Sequence, residues 1–258
     1  MTDRVTLARE GDGLAVVAMQ DEANRNAFTA PFVDELLAAL RAAATDPEVR
    51  VIVLRGLPEI FCAGAHQDLL LELASGEMDA ADILLSKAVL DLPVPAIAAM
   101  EGHAVGGGLA LALCCDVLLM ARESRYGCSF MNLGFTPGMG ITRLLQDAVG
   151  EYVAREMMFG GEIIRGARFE ARSGINHVLP REQVWPKALQ IARRIADQPR
   201  HALVTLKANL SIRHRQVFEE TRTLEAAMHR LCFAQPETRQ RILENYTKPE
   251  PSKGGETP

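Results

Sequence analysis

Three consecutive glycines, Gly106-Gly107-Gly108, close the stretch Pro95-Ala96-Ile97-Ala98-Ala99-Met100-Glu101-Gly102-His103-Ala104-Val105. An apolar, strand-like run passes through a loop into the glycines, and a small-residue helix over residues 106–114 follows. Three successive positions without a side chain let the backbone come very close to whatever packs there, at an entropic cost. A strand-to-helix turn also presents the N–H groups of the first helical turn together with the positive end of the helix dipole. Such a turn can aim donors at an anion, an enolate oxygen included. The same glycines would also serve a tight helix crossing, and the motif alone leaves both readings open.

A second segment has the same build. Phe61-Cys62-Ala63-Gly64-Ala65-His66-Gln67-Asp68-Leu69 follows the apolar run at residues 49–56 and leads from a small-residue turn into a helix. On neighbouring parallel strands, two such turns can give two backbone N–H groups to one oxygen. With this pair of motifs the chain resembles the crotonase (enoyl-CoA hydratase/isomerase) superfamily. The resemblance runs on through Cys115-Asp116-Val117, the turn Gly134-Phe135-Thr136-Pro137-Gly138-Met139-Gly140 and the C-terminal helices, so that it spans nearly the whole chain. It implies that the N–H groups of Ala65 and Gly107 form an oxyanion hole for an acyl thioester.

Composition narrows the alternatives. A chain of 258 residues, 48% hydrophobic, is long enough for one large α/β domain with a helical appendage. A net charge of −5 leaves no basic footprint for nucleic acid. The apolar runs are broken by Gly, Pro or charge, which argues against a membrane span. The N-terminus enters a strand pattern without a signal-peptide pattern, and the five scattered cysteines suit reduced thiols, so a cytoplasmic location is expected. No His, Cys and carboxylate spacing matches a metal site, and no cofactor is expected.

The periodicity predicts strands over 5–9, 14–20, 49–55, 95–100, 116–121 and 177–179. It predicts helices over 30–44, 67–75, 79–90, 106–114, 141–149, 152–159, 165–173, 181–197, 200–212, 216–234 and 236–246. Beyond Gly138 the only strand signal is His177-Val178-Leu179. The resemblance supplies the fold class: an α/β, crotonase-like spiral of ββα turns with a helical C-terminal trimerisation region. The expected organisation is a spiral core with the acyl-thioester pocket over residues 1–197, a helical region over 198–247 and a flexible tail over 248–258. Apolar residues in the helices from Arg200 onward, together with the family's habit, point to a homotrimer or hexamer.

The chain departs from the family where hydratases keep two glutamates. One belongs three residues after the middle glycine, which here is Ala110. The other belongs seven residues before the proline of the Pro-Gly turn, which here is Phe130. Neither residue can transfer a proton, so water addition by the usual route is excluded. With His66, both are expected to line the pocket. An apolar pocket around a retained oxyanion hole suits loss of carbon dioxide, whose electrons pass into an enolate without prior proton abstraction.

Decarboxylation further needs a cation for the substrate carboxylate and an acid to reprotonate the carbanion. Lys87, in the otherwise apolar Ile83-Leu84-Leu85-Ser86-Lys87-Ala88-Val89-Leu90, is the candidate cation, although its position alone favours a surface lysine lying along its helix. His229, after Met228, is the candidate acid, although a lone histidine among core residues is commonly structural. Here the chain resembles the stand-alone decarboxylases of polyketide β-branching cassettes, through the block from Phe130 to Gly140, the helix bearing Lys207 and Asn209, and Met228-His229. That resemblance implies a 3-methylglutaconyl-type substrate on an acyl carrier protein, with Lys87 and His229 as the functional pair. His66 would sit at the pocket mouth or cap the next helix, a role Asp68 could share, and His103 reads as structural. Two alternatives stay open: a hydratase or double-bond isomerase working through His66 or His229, and a non-enzymatic scaffold.

Overall fold

The computed structural model describes residues 3–77, 84–171 and 173–247. It opens with an antiparallel pair, β1 (Val5–Arg9) and β2 (Leu14–Met19), in the register Val5 opposite Met19. Helix α1 (Ala30–Thr45) follows, with the Thr29 side chain accepting a hydrogen bond from Phe32 N and Pro31 in the first turn, where its missing N–H costs nothing.

A repeating unit then begins. Strand β3 (Val51–Arg55) is followed by the short β4 (Ile60–Cys62) and helices α2 (Gln67–Ser75) and α3 (Leu85–Leu90). Strand β5 (Ala96–Met100) is followed by the short β6 (His103–Val105) and α4 (Gly107–Leu113). Strand β7 (Val117–Ala121) is followed by the short β8 (Arg125–Gly127), a 3-10 turn over Ser129–Leu133 and α5 (Ile141–Val149). Each turn of the spiral thus contributes one strand to each of two sheets. Helix α6 (Glu151–Gly160), β9 (Ile163–Arg165), a 3-10 turn over Gly166–Phe169 and β10 (His177–Leu179) complete the core. Four helices end the described residues: α7 (Arg181–Ala196), α8 (Arg200–Leu210), α9 (Ile212–Phe233) and α10 (Pro236–Thr247).

The six-stranded sheet has the order β1-β2-β3-β5-β7-β10 and is parallel from β2 onward. Its strands read as continuous apolar runs because both faces are covered. Val51, Val53, Ile97, Ala99, Leu119 and Ala121 meet α7 on one face. The alternate positions Ile52, Leu54, Ala98, Met100, Leu118 and Met120 point into the main core, as a side-chain period of two requires. The four-stranded sheet has the order β4-β6-β8-β9. The buried Tyr126 of β8 ties the two sheets, its hydroxyl accepting from Ala121 N at 2.8 Å and donating to Met100 O at 2.9 Å.

The second sheet is not foreseen from the sequence. Its strands are three residues each, too short to establish a period. The helix expected over 165–173 is also corrected. Arg165 ends β9, and only the 3-10 turn over Gly166–Phe169 is helical. Gly166 is pressed against β7, where a Cβ would stand 2.0 Å from Ala121 O, so local packing overrides a helix-forming composition. Of the helix expected over 79–90, residues 79–83 lie outside the described residues, as does the expected tail from Lys248 to Pro258. Among the described residues, no helix is long and apolar enough to cross a membrane.

Candidate active site

The two small-residue turns meet. Gly64, between β4 and α2, has φ +85°, a conformation that side chains with a Cβ rarely adopt. A Cβ there would stand 2.7 Å from Val105 O and 3.1 Å from Gly107 N, so the backbone of one turn lies directly on the other. A third segment secures them, with Phe28 N donating to Gly64 O at 2.7 Å and Ala63 N to Arg25 O at 3.2 Å. Gly107 opens α4, and its N–H belongs to the first helical turn, which has no carbonyl partner inside the helix.

Ala65 and Gly107 line one cavity of about 70 Å³, with Phe130, Phe135, Met139 and His229 among its other walls. The lining is mostly apolar. His229 is the one titratable side chain among the described residues that line it. An outer groove of about 460 Å³ adjoins it, since Phe28 and Leu69 line both. His66 lies in that groove rather than in the cavity, and its Nδ1 accepts from Asp68 N at 3.3 Å, capping α2. His66 thus caps α2 and, against expectation, does not line the cavity, because its ring turns to the Asp68 N–H.

Ala110 requires a correction, because it does not line the cavity. It is fully buried in the main core, and α4 reaches the cavity surface with Gly107 alone. A single methyl ends too soon to extend further. Lys87 is not among the lining residues either. Its ammonium stands 2.9 Å from Asp91 Oδ2 and 3.2 Å from Glu219 Oε1. Those partners, the hydrogen bond to Asp91 first, raise its pKa above the ordinary lysine value. His103 accepts a hydrogen bond from Arg125 N at 2.9 Å, and burial lowers its pKa, as befits a neutral structural ring.

His229 is buried on α9. Its Nε2 lies 2.7 Å from Thr136 O, and a carbonyl can only accept, so Nε2 carries the proton. The ring sits edge-on to Phe135 and Phe233, with centroids 5.8 and 5.6 Å away. Gly138 makes room for it, since a Cβ at that position would lie 2.3 Å from His229 Cε1. One helical turn before His229, the buried Glu225 accepts from Gly140 N at 2.6 Å, Thr142 N at 3.0 Å and Thr142 Oγ1 at 2.6 Å. Burial nevertheless raises its pKa, outweighing the three donors. Glu225 therefore holds the Thr136–Thr142 turn against α9 and with it the carbonyl that orients His229. Sequence reasoning missed this anchor. Its signal is a glutamate four residues before His229 on the same helix face.

An apolar chamber walled by two donor-bearing turns can stabilise an enolate, and one imidazole can move a proton there. A profile of the enoyl-CoA hydratase/isomerase family matches residues 9–251. The chain belongs to that family. Among its relatives in the family, the bacillaene synthase decarboxylase PksI of Bacillus subtilis is 36% identical, over 89% of this chain and 92% of its own. Human mitochondrial methylglutaconyl-CoA hydratase is 32% identical, over 89% of this chain and 69% of its own. Among solved structures, one from a dehydratase/decarboxylase enzyme couple involved in polyketide β-branching superposes with a TM-score of 0.91 at 34% identity, covering 95% of this chain and all of that one. The ECH2 decarboxylase domain of CurF from Lyngbya majuscula superposes with a TM-score of 0.88 at 35% identity, with the same coverage. Among these family members, the decarboxylases share more of this chain's sequence than the hydratase does.

Proposed function

We propose that this protein decarboxylates an acyl thioester of the 3-methylglutaconyl type, carried on an acyl carrier protein, in polyketide β-branching in the cytoplasm. The observation that carries this reading is a cavity walled by Ala65 and Gly107 whose one titratable lining side chain, among the described residues, is His229. The bond from the distal carbon to the carboxylate breaks and carbon dioxide leaves. The electron pair passes through the conjugated carbons to the thioester oxygen, where the N–H groups of Ala65 and Gly107 stabilise the dienolate. The imidazolium form of His229, whose Nε2–H stays on Thr136 O, then returns its Nδ1 proton to the distal carbon and is recharged from solvent. Lys87 seats the departing carboxylate. Phe130, with no proton to give, helps keep the chamber dry.

Incubation with 3-methylglutaconyl and crotonyl thioesters tests the reading by mass. The expected result is loss of carbon dioxide from the first and no water addition to the second. Rapid hydration of the crotonyl thioester overturns it in favour of the hydratase reading.

We also propose that the protein is a homotrimer or a hexamer. Support comes from apolar side chains on the outward faces of the C-terminal helices, where Leu206, Leu210, Leu224 and Leu231 are 56–71% exposed. Light scattering at micromolar protein is expected to return the mass of three or six chains, and the mass of one chain refutes it.

A further inference from the structure

Lys87 is connected to the walls of the cavity through Glu219 and Arg222. Glu219 and Arg222 stand one turn apart on α9, on the side of the helix that also carries His229. Glu219 Oε1 lies 3.2 Å from Lys87 Nζ, and its Oε2 lies 3.0 Å from Arg222 Nη2. One carboxylate is therefore held between an ammonium and a guanidinium, one oxygen to each. Arg222 in turn lines a recess of about 10 Å³ together with Gly138, Met139, His229 and the Glu225 carboxylate, which is engaged by Gly140 and Thr142; Gly138, Met139 and His229 are also walls of the acyl cavity.

We infer that Glu219 is an internal stand-in for the substrate carboxylate, and that Lys87 and Arg222 together form a two-cation seat for an acyl thioester bearing a distal carboxylate. This rests on the reading of the site given above and deepens it. An incoming carboxylate offers the same two oxygens to the same two cations. Glu219 can yield to it cheaply, because its side chain is 44% exposed and regains water when released. In the empty protein, Glu219 joins Asp91 in balancing Lys87 and also pairs with Arg222. The competition also restrains ground-state binding. A seat that held the carboxylate too well would slow its loss as carbon dioxide, since only interactions stronger in the transition state speed the reaction.

Equilibrium binding of two saturated pantetheine thioesters, 3-methylglutaryl and isovaleryl, tests the inference on the full-length protein. They differ by the carboxylate alone, and neither can form a dienolate by losing carbon dioxide, so the readout is independent of turnover. Arg222→Met is expected to weaken 3-methylglutaryl binding by about tenfold, with isovaleryl binding unchanged within about twofold. Arg222→Lys, which keeps the charge, should recover part of the loss. Glu219→Gln should tighten 3-methylglutaryl binding by about threefold or more and leave isovaleryl alone. Equal shifts for both thioesters, or no shift for either, overturn the inference and reduce the trio to a staple between α3 and α9. A protein that discriminates as described yet releases no carbon dioxide upholds the seat and refutes decarboxylation. A protein that decarboxylates with unselective variants does the reverse.

Discussion

His229→Ala is expected to lower kcat about a hundredfold to ten-thousandfold, the usual contribution of a positioned proton donor. KM should stay within about twofold, because the imidazole acts after the substrate is seated. The structure makes this separable from a packing defect. His229 Nε2 is already committed to Thr136 O, and the ring packs edge-on against the stacked pair Phe135 and Phe233, so its place does not depend on substrate. Decarboxylation in deuterium oxide, read by mass spectrometry and NMR, locates the incoming deuteron. The variant should retain slow carbon dioxide release while the deuteron is scattered between the two ends of the dienolate. Lys87→Ala should behave differently, weakening binding and turnover together. A His229→Ala protein that works at the parent rate and gives the parent product would remove the residue from the mechanism.

Gly64→Ala carries the second large effect. Gly64 supplies neither donor in the proposed reaction, yet an added methyl would meet Val105 O at 2.7 Å and stand 3.1 Å from Gly107 N. Both neighbours are backbone, so no side chain can swing aside. The φ of +85° adds strain of its own for any residue with a Cβ. The turn bearing Ala65 must therefore move away from the turn bearing Gly107, and the two donors cease to converge. Loss of one oxyanion donor costs about a hundredfold to a thousandfold in kcat, and a comparable drop is expected here. Single-turnover decarboxylation, with thermal unfolding as a parallel measurement, checks it. A folded Gly64→Ala protein of undiminished rate would show that the two turns do not act on one oxygen.

The inference about Arg222 and Glu219 bears on both experiments. Lys87 is joined to α9 by Glu219, and α9 carries His229 and Glu225. The proposed carboxylate seat and the proposed proton donor thus share one helix. Glu225 fixes that helix to the turn over the cavity through its bonds to Gly140 and Thr142. Carboxylate loss and proton return are then served from neighbouring turns of one rigid helix, without motion of the chain between them.

The sequence by itself determined the parts of this protein that depend on short-range chemistry. The long strands and helices were legible because a half-dozen or more residues suffice to set a period of two or 3.6. The start of α1 was legible in Thr29 and Pro31, whose side chains decide local geometry by themselves. The pair of glycine-bearing turns, and the loss of acid–base chemistry at Ala110 and Phe130, were legible because residue type alone excludes a proton carrier. Tertiary structure decided the rest. The second sheet is held by pairing between three-residue strands distant in the chain, and nothing local to residues 60–62 or 163–165 announces it. Ala110 lies one turn beyond Gly107 on the same side of α4, yet it is buried in the main core, because only the entry of the helix reaches the cavity. Glu219, Arg222 and Glu225 read as ordinary helix charges until α9 folds back over α5 and the Thr136–Thr142 turn. A charge acquires its role from the groups brought within a few ångströms of it, and those groups lie some 80 to 130 residues away in the chain.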